Sequence, residues 1–269
     1  MISVCIATYN GASTLHAQLA SILPQLSEDD EVIVSDDGST DNTKQVVESF
    51  QSPLIRWVKG PCNGSLISNF EHALQMAKGD YIFLSDQDDV WMPNKVEEMM
   101  IPIRNGYDCV ISDCHVTDQS LNVVHPSFFE LTGMKSGKWY NLLLHNYYLG
   151  CCMLFTRRVV EKALPFPKQL PMHDIWIGNV AAFFFNTYFL HQPLILFRRH
   201  GNNASCTAQK RKNTSKQQFL HSKRKIPFPP AHSAPSLQTH PHFKTSISII
   251  LSYDYLYHHR YLQQCCYDC

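Results

Sequence analysis

Over the first hundred residues, short β-rich runs alternate with amphipathic segments, and that order restricts the fold more than any other feature. "ISVCIATY" (Ile2–Tyr9) is apolar and β-branched and closes at the turn pair Asn10-Gly11. "STLHAQLASILPQL" then sets Leu15, Leu19, Ile22 and Leu26 at helical spacing, with Ser13 or Thr14 as a capping residue. The order repeats: a strand in "EVIVSDDGSTD", a helix capped by Asp41 in "TDNTKQVVESF", a strand in "LIRWVKG", a helix in "SLISNFEHALQMAKG" ending at Gly79, and a strand in "DYIFLS". Parallel neighbours require crossover segments of this kind. The spacing therefore predicts an α/β fold with a mainly parallel sheet flanked by helices.

Past Lys95 the pattern predicts a helix at Val96–Ile103, a strand in "YDCVISDC" ending at Asp113, and a looser region to about Tyr140. "NLLLHNYYLGCCMLFTRRVVEKAL" offers a helix, Gly150, a strand and a helix; "MHDIWIGNVAAFFF" starts another helix with Asp174 in its first turn. "PLILFRRHGNNAS" is a last strand closing in a polar loop. The run Asn179–Phe197 is interrupted by Asn186, His191, Gln192 and Pro193, so it reads as a buried helix followed by a strand, not as the roughly 18 or more apolar residues of a membrane span. The opening residues lack the basic-then-apolar order of a signal peptide. Ten cysteines without such a signal are expected as free thiols, and the adjacent pairs Cys151–Cys152 and Cys265–Cys266 lack zinc-knuckle spacing. The expected compartment is the cytoplasm.

Net charge is zero, which gives no bulk attraction to nucleic acid. The zero hides a division. From Cys206 onward there are nine Lys/Arg and two Asp/Glu, a charge of +7, so residues 1–205 carry −7. The same segment has no glycine, five prolines and six histidines, and "KRKIPFPPAHSAPSLQTHPHF" follows neither a helical nor a strand period. Two regions are expected: an α/β domain over residues 1–205 and an irregular basic tail over 206–269, a break in composition of the kind a shifted reading frame produces. The tail's charge suits peripheral contact with anionic lipid at the inner face of a membrane.

Ligands of such sheets sit beyond the carboxyl ends of the strands. Strand one ends in Thr8, Tyr9 and Asn10, strand two in Asp36 and Asp37, and strand four in Asp86, Asp88 and Asp89. All three clusters open onto one rim. Three carboxylates within four positions repel one another unless a cation sits among them. Aspartates two apart leave coordination sites open, which suits Mg²⁺ or Mn²⁺ shared with a substrate diphosphate. The plainer alternative is a solvated Asp-rich turn that caps the next helix. Asp36 or Asp37 can accept from a pyrimidine N3–H, or simply serve as helix caps. The single glycine in "TYNGAST" disfavours a dinucleotide fingerprint and a P-loop.

In this order, "ISVCIATYNGASTL", "VIVSDDGSTDNT", "NF…A…AKGDYIFLSDQDDVW…K", "HDIW" and "RRHGNN" resemble family-2 inverting glycosyltransferases, most closely the rhamnosyltransferase-like branch of bacterial polysaccharide biosynthesis. The resemblance covers residues 1–205. It implies the GT-A fold, with a Rossmann-like nucleotide-binding half and an acceptor half. It also implies transfer of a sugar such as rhamnose, with inversion, from a nucleotide-diphosphate donor to a glycan or lipid-linked acceptor, assisted by Mg²⁺ or Mn²⁺. By the same resemblance Thr8, Tyr9 and Asn10 line the nucleotide pocket and Asp37, with Asp36, holds the base. Asp86 and Asp88 form the DXD element at ribose and metal, Asp89 supports them from behind, and His200 completes the metal site or contacts the diphosphate. Asp174, in His173-Asp174, is the implied general base, with Asp113 next in line; Trp176 and Tyr148 are candidates to stack on a sugar. Family members continue past "HGNN" with amphipathic helices, and this chain does not. The readings that compete are a catalytically silent nucleotide-sugar-binding or scaffold protein, and a nucleotidyltransferase, whose Gly-rich loop is missing here.

Overall fold

The structure is a computed structural model that describes residues 1–135, 147–170 and 172–199; His200 and the 206–269 tail lie outside the described residues. The strands are β1 (Ile2–Thr8), β2 (Glu31–Asp36), β3 (Ile55–Lys59), β4 (Tyr81–Ser85), β5 (Val90–Trp91), β6 (Cys109–Thr117), β7 (Val123–His125), β8 (Met153–Thr156) and β9 (Thr187–Arg198). The helices are α1 (Leu15–Ile22), α2 (Thr43–Glu48), α3 (Leu66–Met76), α4 (Lys95–Arg104), α5 (Phe128–Thr132), α6 (Arg157–Ala163) and α7 (His173–Phe184).

The strands form one sheet in the order β3-β2-β1-β4-β8-β6-β9-β5, with β7 paired to β6. Strands β3, β2, β1 and β4 are parallel, as the strand–helix alternation predicts. Val4, Cys5 and Ile6 of β1 and Val32, Ile33 and Val34 of β2 are fully buried, the continuous apolar character of strands covered on both faces. β8 runs antiparallel between β4 and β6, while β9 is parallel to β6. Pro193 sits where the β6–β9 register shifts, and such an irregularity accommodates the missing ladder donor of a proline.

Two devices hold the parallel half in register. At its amino end, the buried carboxylate of Glu31 accepts from Ser3 Oγ (2.7 Å), from the Lys78 N–H (2.6 Å) and from Arg56 (2.6 Å). At the carboxyl end, the buried Asn69 of α3 donates from Nδ2 to the carbonyls of Thr8 (3.3 Å) and Ser35 (2.9 Å). α3 itself starts where the Ser65 side chain accepts from the Ser68 N–H (3.3 Å). Thr8 pairs with Asp36 and Ile6 with Ser85, so β1 and β2 end level and the loop after β4 reaches the same edge two residues later, at Gln87. That common edge is the rim.

Candidate active site

The antiparallel register decides what meets the end of β4. Tyr81 pairs with Thr156 and Phe83 with Leu154, so the start of β8 lies beside the end of β4. The 3-10 turn Gly150–Cys152, which leads into β8, is thereby delivered to the acidic loop after Ser85. One carboxylate oxygen each of Asp86 and Asp89 and the Sγ of Cys151 lie within 4.8 Å of one another. Asp88 is outside that cluster, half-buried, with its carbonyl accepting from Arg198 Nε (2.7 Å). Asp89 is fully buried; its Oδ1 accepts from the Arg198 N–H (2.9 Å), and its Oδ2 has no hydrogen bond of good geometry. Arg198, at the end of β9, thus holds the Asp88–Asp89 turn by backbone and side chain together.

Burial, then the charges of Asp88 and Asp174, push Asp86 up to about 8. Burial and the charges of Asp88 and Asp86 hold Asp89 well above the usual carboxylate range. Close by is a buried cation. Lys95 Nζ donates to the Cys151 carbonyl (2.6 Å) and stands 4.3 Å over the Trp91 ring, and burial lowers its pKa to about 8.

Asp174 lies across the Gly150–Cys152 turn, in the first turn of α7. Its Oδ2 accepts from the Gly150 N–H (3.2 Å) and its Oδ1 from the Ile175 N–H (2.7 Å). Burial lifts its carboxyl to about 7 against those two bonds, and its charge in turn acts on Asp86. The preceding His173 turns inward and is buried. It stacks on Phe70 at 4.0 Å, both ring nitrogens lack hydrogen-bond partners, and burial lowers its pKa to about 3.

On the other side of the rim, Thr8 is buried and Tyr9 exposed. The Thr8 hydroxyl and the Tyr9 N–H both donate to Gln87 Oε1 (2.7 and 3.0 Å), and Gln87 Nε2 donates back to the Tyr9 carbonyl (3.1 Å). Asn10 adopts a positive φ of 49°, and its Oδ1 accepts from the Thr40 N–H (2.9 Å). Asp36 accepts from the N–H groups of Gly38 (3.2 Å) and Ser39 (3.0 Å), which shapes its own turn. Asp37 accepts from the N–H groups of Asn63 (3.3 Å) and Gly64 (2.8 Å), one on each oxygen. The rim therefore gathers Thr8, Tyr9, Asn10, Asp36 and Asp37 on one flank and Asp86, Asp88 and Asp174 on the other.

The glycosyl transferase family 2 profile matches residues 3–164. The chain belongs to glycosyl transferase family 2. The dTDP-rhamnosyl transferase RfbG of Shigella flexneri is 29% identical over 225 residues, which cover 74% of this chain and 72% of that protein. Residues 1–349 of S. aureus TarS, solved with UDP-GlcNAc, superpose with a TM-score of 0.59 at 18% identity over 75% of this chain and 59% of TarS. The mannosyltransferase PcManGT of Pyrobaculum calidifontis, solved with GDP-Man and Mn²⁺, gives 0.53 at 18% identity over 71% and 54%. The chain thus spans less than two thirds of these solved structures. The α/β architecture of this family 2 chain is the GT-A fold.

Two expectations need correcting. Tyr148 is 1% exposed, with its ring against Gly178 and stacked on Phe189, so it belongs to the core and offers no face to a sugar. Asp113 does not end a strand. It lies within β6, where it accepts from the Cys114 N–H (2.8 Å), the Phe129 N–H (3.0 Å) and the Ser127 hydroxyl; it organises the start of α5 and is committed there as a structural acceptor. Trp176 is half-buried, its indole N–H fixed to the Ala163 carbonyl (2.9 Å). His200 lies outside the described residues. Gln87, Lys95 and Cys151 were not singled out from the sequence. Gln87 had a signal, being two residues past Ser85 and therefore level with Thr8, whereas Cys151 depended on the unread direction of β8.

Proposed function

We propose that this family 2 chain transfers a sugar, a deoxyhexose such as rhamnose, from a nucleotide-diphosphate donor to a glycan or lipid-linked acceptor with inversion at the anomeric carbon. The observation that carries this reading is the meeting of Asp86 and Asp174 across the Gly150–Cys152 turn, close enough for the charge of one to act on the other. Asp174, near 7, is tuned for a general base at neutral pH and takes the proton of the acceptor hydroxyl as that oxygen attacks. A single displacement by the acceptor needs a base and no enzyme nucleophile, and it inverts the centre. Asp37, with Asp36, receives the N3–H of the nucleotide base, while Thr8, Tyr9 and Asn10 line its pocket. Trp176 bounds the acceptor side.

The residues at the end of β4 fit a divalent cation: carboxylate oxygens of Asp86 and Asp89 lie within 4.8 Å of each other, and the charge of Asp88 acts on both. Asp86 and Asp88 would hold it, with His200 as a further ligand. Mg²⁺ or Mn²⁺ held there would supply positive charge against that developing on the leaving diphosphate. We assign residues 1–205 to this enzyme domain. The basic 206–269 segment is then free to contact anionic lipid at the cytoplasmic face of a membrane, by about 1 kcal/mol per basic residue near the surface. Among the described residues no helix is long and apolar enough to cross a membrane.

The test is a donor panel. The full chain is incubated with dTDP-rhamnose, UDP-glucose and UDP-GlcNAc, a lipid-diphosphate acceptor and Mn²⁺, and the anomeric configuration of the product is read by NMR. Inverted product with one donor supports the proposal, and retained configuration, or hydrolysis with no transfer from any donor, contradicts it.

A further inference from the structure

Lys95, the first residue of α4, is fully buried and has no part in the transfer chemistry. A buried ammonium is costly unless it is hydrogen-bonded, so the group it holds is informative. We infer that Lys95 is a positioning residue for the proposed base: it grips the Gly150–Cys152 turn from one side while Asp174 grips it from the other, so the ammonium fixes where the Asp174 carboxyl stands. The inference rests on the transfer reading, in which Asp174 is the base.

Three observations carry it. The first is the bonding of the turn. Its own backbone closes through the Cys152 N–H to the Leu149 carbonyl (2.9 Å) and the Met153 N–H to the Gly150 carbonyl. The two side chains then take groups one residue apart: the Gly150 N–H donates to Asp174 Oδ2 (3.2 Å), and the Cys151 carbonyl accepts from Lys95 Nζ (2.6 Å). The second is that Lys95 is itself anchored. Its ammonium stands 4.3 Å over the Trp91 ring and 5.9 Å over that of Phe83, and its backbone N–H donates to the Met92 carbonyl (3.1 Å). Trp91 in turn is tied by its backbone N–H to Ser21 Oγ of α1 (2.9 Å). The third concerns the opposite flank. His173 packs on Gly150, with Nε2 3.0 Å from where a Cβ would stand, yet neither ring nitrogen has a hydrogen-bond partner. The imidazole gives the turn shape, and Lys95 supplies the polar hold that the imidazole does not.

Lys95→Met keeps the apolar stem and removes the ammonium. Hydrogen–deuterium exchange, which needs no sugar donor, should quicken by about tenfold at the Gly150 and Cys152 amides and stay unchanged in β1, β2 and α3. Quickening throughout the sheet, or none at the turn, overturns the inference. In transfer assays Lys95→Met should lower kcat by about 10–100-fold with Mn²⁺-dependent nucleotide affinity unchanged. Because Lys95 acts through Asp174, adding Lys95→Met to Asp174→Asn should slow transfer no further. Losses that add, or a nucleotide affinity that falls along with kcat, overturn the inference. A native chain that transfers no sugar counts against the transfer reading alone, and the exchange result still decides whether Lys95 holds the turn. A reciprocal measurement does not need Lys95→Met to fold. With ¹⁵N-labelled lysine, the native chain should show one ammonium signal protected from exchange, and Asp174→Asn should shift it; no protected signal, or one that stays in place, overturns the inference.

Discussion

Asp174 is held by two opposed influences. The N–H groups of Gly150 and Ile175 favour its charged form, while burial disfavours it more strongly and leaves the carboxyl near 7. Asp174→Asn keeps the shape and removes proton acceptance, so transfer is expected to fall by about 10²–10⁴ with donor affinity nearly unchanged. A variant that transfers at the native rate moves the base elsewhere. With Asp174 as the proposed base the active form is the carboxylate, so kcat/KM should rise with pH and level off above about 7, a limb that Asp174→Asn removes. Stability runs the other way. Asp86 and Asp174 bind protons more tightly folded than unfolded, so without divalent cations stability is highest below their unfolded values and falls as pH rises through about 7 to 8. Thermal melting in chelator between pH 5 and 9 should show this decline, and Asp86→Asn should flatten it. A melting temperature that climbs over that range contradicts the burial of these groups as uncharged acids.

At the level of elements, the site depends on a packing that brings α7 against the segment before β8. A Cβ on Gly178 would stand 2.4 Å from Cγ of the buried Tyr148, so the glycine allows the helix to approach. Gly178→Ala is expected to lower stability by about 1–3 kcal/mol in urea unfolding, and to impair transfer through the displaced Asp174. An unchanged midpoint shows the contact to be slack. The sequence marks α7 and β8 as a helix and a strand, through "HDIWIGNVAAFFF" and "CCMLFT", but periodicity carries no strand direction. The antiparallel insertion of β8 could therefore not be read, and with it went the place of Cys151 beside Asp86. Asp113 shows the same limit: a run that ends in a carboxylate looks like a strand end until the continuation of β6 to Thr117 puts the residue mid-strand.

Across the whole molecule, the parallel half was legible because each crossover must bring the next strand back in the same direction, which fixes β1, β2 and β4 with their carboxyl ends at one edge. The acidic rim follows from that rule and from the positions of Asp36, Asp37, Asp86 and Asp88. Pairings that span the chain, such as the Arg198 N–H with Asp89 Oδ1, have no local signature; nothing in "LFRRH" points to residue 89. In the proposed function this rim binds the diphosphate of a nucleotide through a divalent cation. Calorimetric titration of the full chain with dTDP, UDP and GDP, each with Mn²⁺ and with chelator, tests this. The expected result is binding of at least one nucleotide that requires Mn²⁺ and is lost in Asp88→Asn. Binding that is as tight in chelator as in Mn²⁺, or that is unchanged in Asp88→Asn, contradicts it.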